Sequence, residues 1–226
     1  MIKAIFFDVG NTLFFYNYEF LSGLLMERFS VDVAKEELEA AHQIIRQSLG
    51  PLLDQGLSHE AIVEEAYRRW FRAIGIEEER IQTVVDAIRD HPFRHMFWSR
   101  MEDGAKEILT WFRDRGYRLG IISNAEGQIK RLIDYAGLTM SFDTILDSHE
   151  VGFQKPDERI FLQGLAELSV KPNEAVHVGD LFEADIVGAR AVGIVPILVD
   201  PYGRYPDANC LTIKHVRELK DLPLFR

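Results

Sequence analysis

The sequence is short of cysteine, of positive charge and of long apolar runs, and each shortage closes a line of interpretation. One cysteine, Cys210, in 226 residues excludes an intramolecular disulfide framework, and a lone thiol beside a loop reads as a bystander. No apolar stretch approaches the roughly 18 residues of a membrane span. The amino end, MIKAIFFDVGN, has one lysine and a short apolar run broken by an aspartate, unlike a secretory signal. A cytoplasmic protein with no membrane partner is expected. Lysine and arginine together number 26 against 36 acidic residues, a net charge of −10. Such a surface repels phosphate backbones, so nucleic acid is not an expected partner either. A small anion is a different case, because one local cation inverts the field inside a pocket.

What is present is an ordinary globular composition, 47% hydrophobic and 27% charged, on a chain long enough to bury a core without staples. Short apolar runs alternate with stretches of helical period. The runs are Ile5–Phe7, Leu119–Ile122, Thr144–Leu146, Val176–Val178 and Val195–Val199. Between them lie stripes such as Ala105, Ile108, Leu109 and Phe112, then Ile129, Leu132, Ile133 and Ala136, then Phe161, Leu165 and Leu168. Strand, helix and strand joined by short polar links predict an α/β, Rossmann-like core around a parallel sheet.

One block breaks the alternation. From about Tyr18 to Asp90 only helical patterns occur: Leu38, Ala41, Ile45 and Leu49 on one face, then a wider stripe from Ile62 to Ile74, then EEERIQTVVDAIRD. Ser58 is placed as a cap and Gly75 as a stop. The expected organisation is a core of residues 1–14 and 96–226 and an inserted helical cap of residues 15–95.

Open parallel sheets gather ligands at the carboxyl ends of their strands. After the first run stand Asp8, Gly10, Asn11 and Thr12; after the second, Ser123 and Asn124; after the fourth, Gly179, Asp180, Glu183 and Asp185. Lys155 precedes Pro156 and a new helix. Singly, each has a plain structural use, as helix cap, turn residue or solvated charge. Together, in order across successive strand ends, they form a chemically coherent set.

That set resembles the haloacid dehalogenase superfamily of hydrolases. AIFFDVGNTL is similar to its nucleophile motif, LGIISNA to its Ser/Thr strand, FQKPDERIF to its lysine motif and VGDLFEAD to its acidic motif. The likeness covers residues 1–13 and about 100–200, and the helical insert looks like the family's first cap type. The resemblance implies Asp8 and Lys155 as catalytic residues, with Asp8 carrying an aspartyl-phosphate. It also implies Thr12, Ser123, Asn124 and Lys155 as phosphate contacts, and Mg²⁺ held by Asp8, the Gly10 carbonyl, Asp180 and Asp185. The implied substrate is a small phosphorylated metabolite, and the pattern fits a monomer or a homodimer equally.

One departure matters. Phosphatases of the family usually carry a second aspartate two residues after the nucleophile, as general acid and base, and here that position is Gly10. Water, a substrate group or a histidine of the cap or hinge (His42, His91, His95) is the expected substitute. Dehalogenases also lack that aspartate, but need no metal-binding acidic motif. A phosphonate-cleaving reading needs a cap lysine, for which Lys35 is the one candidate between residues 4 and 105. A non-catalytic phosphate-binding protein is the alternative from another class. Asn17, Tyr18, His95 and Arg100 are candidate specificity groups, Arg46, Arg68 and Arg94 candidate anion contacts, and Phe93, Phe97 and Trp98 expected hinge packing.

Overall fold

The most apolar run near the amino end, Ala4–Phe7, is β1, and every one of its residues is buried. It sits at the centre of a six-stranded sheet in the order β5-β4-β1-β6-β7-β8, with β4 at Arg118–Ser123, β5 at Thr144–Asp147, β6 at Ala175–Gly179, β7 at Val195–Val199 and β8 at Leu211–Ile213. Every adjacent pair is parallel. Strands of such a sheet are covered on both faces, which is why they read as unbroken apolar runs. Alternate residues serve opposite cores. Ile5, Phe7, Leu119, Ile121, Val176 and Val178 face one, with the helix Ala105–Arg113. Ala4, Phe6, Ile122 and Ala175 face the other, with the helix Glu158–Glu167. The α/β, Rossmann-like class predicted from the alternation is the observed one.

The computed structural model describes residues 1–47 and 59–225. They divide into two compact units, Met1–Tyr16 with Trp98–Arg226 and, separately, Asn17–Phe97. The first contains the sheet and a two-residue ribbon, Phe14–Phe15 (β2) with Arg100–Met101 (β3). β8 and this ribbon have no counterpart among the predicted strands, because two or three residues cannot display a period.

The second unit is helical: Tyr18–Phe29, Lys35–Gln47, His59–Ala73 and Glu78–Arg89. The last three match the predicted stripes, while Leu49 and the proposed Ser58 cap lie outside the described residues. Trp70 anchors this unit, buried and donating its indole N–H to the Leu38 carbonyl at 3.0 Å. Burying an aromatic of that size is a large favourable term.

Because β1 continues to β4 on one side and β6 flanks it on the other, the carboxyl ends of these three strands border a topological switch point. Ligand crevices form at that place in open α/β sheets. The centre of the sheet is tightly fitted there. A Cβ on Gly120 would lie 2.7 Å from Phe6 Cδ1 and 2.8 Å from Thr144 Cγ2, closer than packed carbon atoms approach. Gly120→Ala is therefore expected to destabilise the protein by about 1–3 kcal/mol. In a Phe6→Val background the same change should cost measurably less. Denaturant midpoints of the two single variants and the double variant test this; strict additivity would show that Phe6 is not the obstacle.

Candidate active site

The chain places Asp8 one residue past β1, where its backbone N–H still donates to the Val178 carbonyl at 2.8 Å. The following loop is built on one acceptor: the Val9 carbonyl takes N–H bonds from Thr12, Leu13 and Phe14. Asn11 sits at φ 57, a left-handed conformation that asparagine tolerates better than most side chains. This loop therefore closes without a glycine at position 11. Thr12 is buried, and its hydroxyl has no hydrogen-bond partner among the described residues.

Ser123 ends β4 and donates its hydroxyl to Asp8 Oδ1 at 3.1 Å. Lys155 Nζ donates to the same oxygen at 2.7 Å and to Asp185 Oδ1 at 2.5 Å. All four side chains are buried. Asn124 does not aim its side chain at this point. Its carboxamide clasps the lysine backbone, accepting from Lys155 N–H at 2.7 Å and donating to the Lys155 carbonyl at 2.9 Å. As a phosphate contact, Asn124 thus keeps only its main-chain N–H, and its side chain instead fixes where the lysine starts.

Asp180 follows β6, and Asp185 lies in the π-helical turn Phe182–Val187, a local geometry frequent at functional sites. Single carboxylate oxygens of Asp8, Asp180 and Asp185 lie within 4.8 Å of one another. Asp185 is the most constrained of the three. Oδ1 accepts from Lys155 and is 2.8 Å from His177 Nε2, and Oδ2 accepts the Leu181 N–H at 3.0 Å. Its Cγ would be 2.2 Å from any Cβ at position 179, so only glycine permits this approach.

The charges shift one another. Burial pushes the Asp8 carboxyl above its ordinary range, and Lys155 offsets this only in part. Burial opposes the Lys155 ammonium, but Asp185 and Asp8 outweigh it and hold the lysine pKa above its usual value. Burial alone would raise Asp185; Lys155 and His177 overcome it and keep that carboxyl well below the ordinary range. Burial holds His177 below the usual histidine value despite its bond to Asp185.

Three nearby groups escaped the sequence reading. Trp98, expected as hinge packing, lies over Gly10: a Cβ there would touch the indole ring at 3.4 Å. It also meets Tyr16 edge-on at 5.1 Å. Arg204, on the loop after β7, donates to the Asp180 carbonyl at 3.2 Å and stands 3.5 Å from both Asp180 Oδ2 and Asp200 Oδ1. His177 was visible only as an ordinary member of an apolar run. Asp147, also buried, has a structural task, accepting the N–H groups of His149 and Ile129.

In the helical unit, several candidates prove to be engaged locally. Asn17 caps the helix Tyr18–Phe29 through Phe20 N–H. Tyr18 Oη is 2.9 Å from His42 Nδ1, and His42 stacks on Trp70 with ring centroids 4.3 Å apart. His91 Nδ1 accepts the Phe93 N–H, and burial keeps its pKa low. Arg68 pairs with Glu64, Glu78 and Gln82. Lys35 is exposed and 3.7 Å from Glu19. The Arg46 side chain lies outside the described residues. In the sheet-bearing unit, Arg100 rests over the Phe15 ring.

A family model described as haloacid dehalogenase-like hydrolase matches residues 2–193. The mouse haloacid dehalogenase-like hydrolase domain-containing protein 3 is 30% identical over 177 residues, 78% of this chain and 70% of that protein. A glyceraldehyde 3-phosphate phosphatase of Methanothermobacter thermautotrophicus is 32% identical over 211 residues, 88% of this chain and 86% of its own length. Among solved structures, a magnesium-bound HAD hydrolase of Bacillus subtilis shares the fold, with a TM-score of 0.76 and 20% identity over 97% of each chain. The matched segment contains Asp8, Ser123, Lys155, Asp180 and Asp185 and four of the six strands of the sheet, and the chain belongs to the haloacid dehalogenase-like hydrolase family.

Proposed function

We propose that this chain hydrolyses small phosphate monoesters through an aspartyl-phosphate formed on Asp8, with Mg²⁺ as cofactor. One observation carries the reading: a buried aspartate whose Oδ1 receives both a serine hydroxyl and a lysine ammonium, beside two further buried carboxylates. Family membership and the phosphatase among the relatives support the same reaction class.

A phosphate monoester is an anion and repels an anionic nucleophile, so its charge must be masked before in-line attack. The donor set fits a hard divalent cation, being entirely oxygen, buried and closely spaced. Asp8, Asp180 and the Gly10 carbonyl would hold it, with Asp185, whose oxygens are already engaged, reaching it through water. When bound, the ion offsets charge on the nucleophile and the phosphoryl oxygens. Ser123 and the Asn124 main-chain N–H donate to the transferring oxygens, and Lys155 supplies a fixed positive charge to nucleophile and phosphoryl group alike. Asp8 attacks phosphorus and the ester oxygen departs with its bonding pair. Water then attacks the phosphorus of the acyl phosphate and returns Asp8 as a carboxylate.

Halide displacement needs no cation and would leave Asp180 without a metal to hold, and Lys35 is exposed beside Glu19 rather than desolvated for imine chemistry. Both observations favour phosphate esters over the dehalogenase and phosphonate-cleaving alternatives. Turnover of an aryl phosphate is expected to require Mg²⁺, to stop with EDTA and to vanish in Asp8→Asn. A phosphate-binding protein without catalysis would bind inorganic phosphate but turn over nothing in that assay.

Gly10 offers no proton, and a Cβ there would sit in van der Waals contact with the Trp98 ring. General acid assistance is worth about 10²–10⁴-fold. The rate is therefore expected to fall steeply as the leaving-group pKa rises across a series of aryl and alkyl phosphates. Gly10→Asp, which restores a carboxyl two residues after Asp8, should flatten that dependence. A flat dependence in the unaltered protein would locate a proton donor elsewhere.

Asn124→Ala removes the clasp on the Lys155 backbone without touching the ammonium. It is expected to lower kcat by roughly tenfold or more, on the scale of outer-shell groups that position reactive side chains. KM should change less. Steady-state kinetics on the same aryl phosphate measure both.

A further inference from the structure

His177 stands one turn of pleat before Gly179, in the middle of β6, fully buried and registered opposite Phe6 on β1 and Pro196 on β7. A valine would fill such a position at no polar cost, as Val176 and Val178 do on the other face. The imidazole instead meets Phe161 edge-on at 5.2 Å and directs Nε2 at Asp185 Oδ1 from 2.8 Å. An ionised carboxylate oxygen only accepts, so the bond requires the proton on Nε2. Nδ1 is then a bare acceptor, buried with no hydrogen-bond partner among the described residues. The ring therefore meets its surroundings by hydrogen bond at Nε2 alone among the described residues.

We propose that His177 is a positioning residue, whose Nε2–H holds Asp185 in the orientation that draws the Lys155 ammonium onto Asp8. Asp185 Oδ1 is shared between His177 and Lys155, while Oδ2 is tied to the Leu181 N–H. With both oxygens engaged, Asp185 serves the lysine directly and would meet the cation only through water. Without the histidine, Oδ1 keeps only the mobile end of a long side chain as its donor, and nothing stationary fixes the carboxylate plane on that side. The inference rests on Asp8 as the proposed nucleophile, but the placing of Lys155 that it asserts can be read without turnover.

The test compares two isosteres, Gln, whose amide N–H can stand in for Nε2–H, and Met, which cannot donate. In His177→Met, kcat on an aryl phosphate should drop about ten- to hundredfold, with KM and calorimetric Mn²⁺ affinity within a few-fold of the parent. His177→Gln should recover most of that loss. Independently of activity, Lys155 should be labelled several-fold faster by acetic anhydride in His177→Met than in the parent or His177→Gln, by mass spectrometry. A His177→Met protein with parental kcat and parental Lys155 labelling overturns the proposal, as does a His177→Gln protein no better than His177→Met. A large loss of Mn²⁺ affinity in His177→Met also overturns it, by assigning Asp185 to the cation. If neither protein turns over phosphate, the labelling comparison still decides, and the failure belongs to the proposed reaction. If His177→Met does not fold, the nitrogen spectrum of the unaltered His177 decides: an Nε2–H tautomer supports the role and an Nδ1–H tautomer overturns it.

Discussion

Everything at the carboxyl edge of the sheet depends on one ammonium buried between two carboxylates. Lys155 reaches Asp8 and Asp185 at 2.7 and 2.5 Å with almost no solvent contact. Such a group survives burial only if its partners are held as firmly as it is, since desolvation of an unpaired charge exceeds anything else in the neighbourhood. The fold meets that demand from three directions. β1 fixes Asp8 through the Val178 carbonyl, the Asn124 carboxamide fixes the lysine backbone, and Gly179 admits Asp185 at a distance no other residue would allow. Strands β1, β4 and β6 are thereby locked to one register at the end where a ligand would enter.

The arrangement also explains how a chain of net charge −10 can be suited to an anionic substrate. Four buried carboxylates, Asp8, Asp180, Asp185 and Asp200, face two cations, Lys155 and Arg204. The cluster is two negative charges in excess before anything binds. A divalent cation would offset that excess locally, while the surface charge elsewhere, screened within about 8–10 Å at ordinary ionic strength, would matter little inside the pocket. Net charge thus speaks to polymers and says almost nothing about the pocket.

Much of this was legible in the sequence because parallel strands advertise themselves twice, by an apolar run and by the polar residue that ends it. Asp8, Ser123 and Asp180 are found by that rule alone, and Lys155 by the Pro156 that follows it. The rule fails for groups whose role is set by a partner distant along the chain. Asn124 looks like a ligand contact because it follows a strand, yet its amide groups are spent on a backbone 31 residues away. Arg204 follows β7 as the rule would allow, but four residues late, after a turn that has no apolar pattern. Trp98 reads as hinge packing until its ring is seen over Gly10. His177 is the hardest of all, since a histidine inside a valine-rich run carries no sign of which nitrogen is bonded.

The glycine at position 10 looks, in the sequence, like a gap in a motif, but the loop it belongs to is intact. Asn11 takes the left-handed conformation, the Val9 carbonyl still collects three N–H groups, and Asp8 still meets its serine and lysine. What the glycine lacks is a proton-carrying side chain, and what the loop keeps is the contact of Asp8 with Ser123 and Lys155. Phosphoryl transfer asks chiefly for positioning and electrostatic stabilisation, so under the proposed reaction a site that keeps those without a proton carrier would accept a narrower range of leaving groups rather than lose its chemistry.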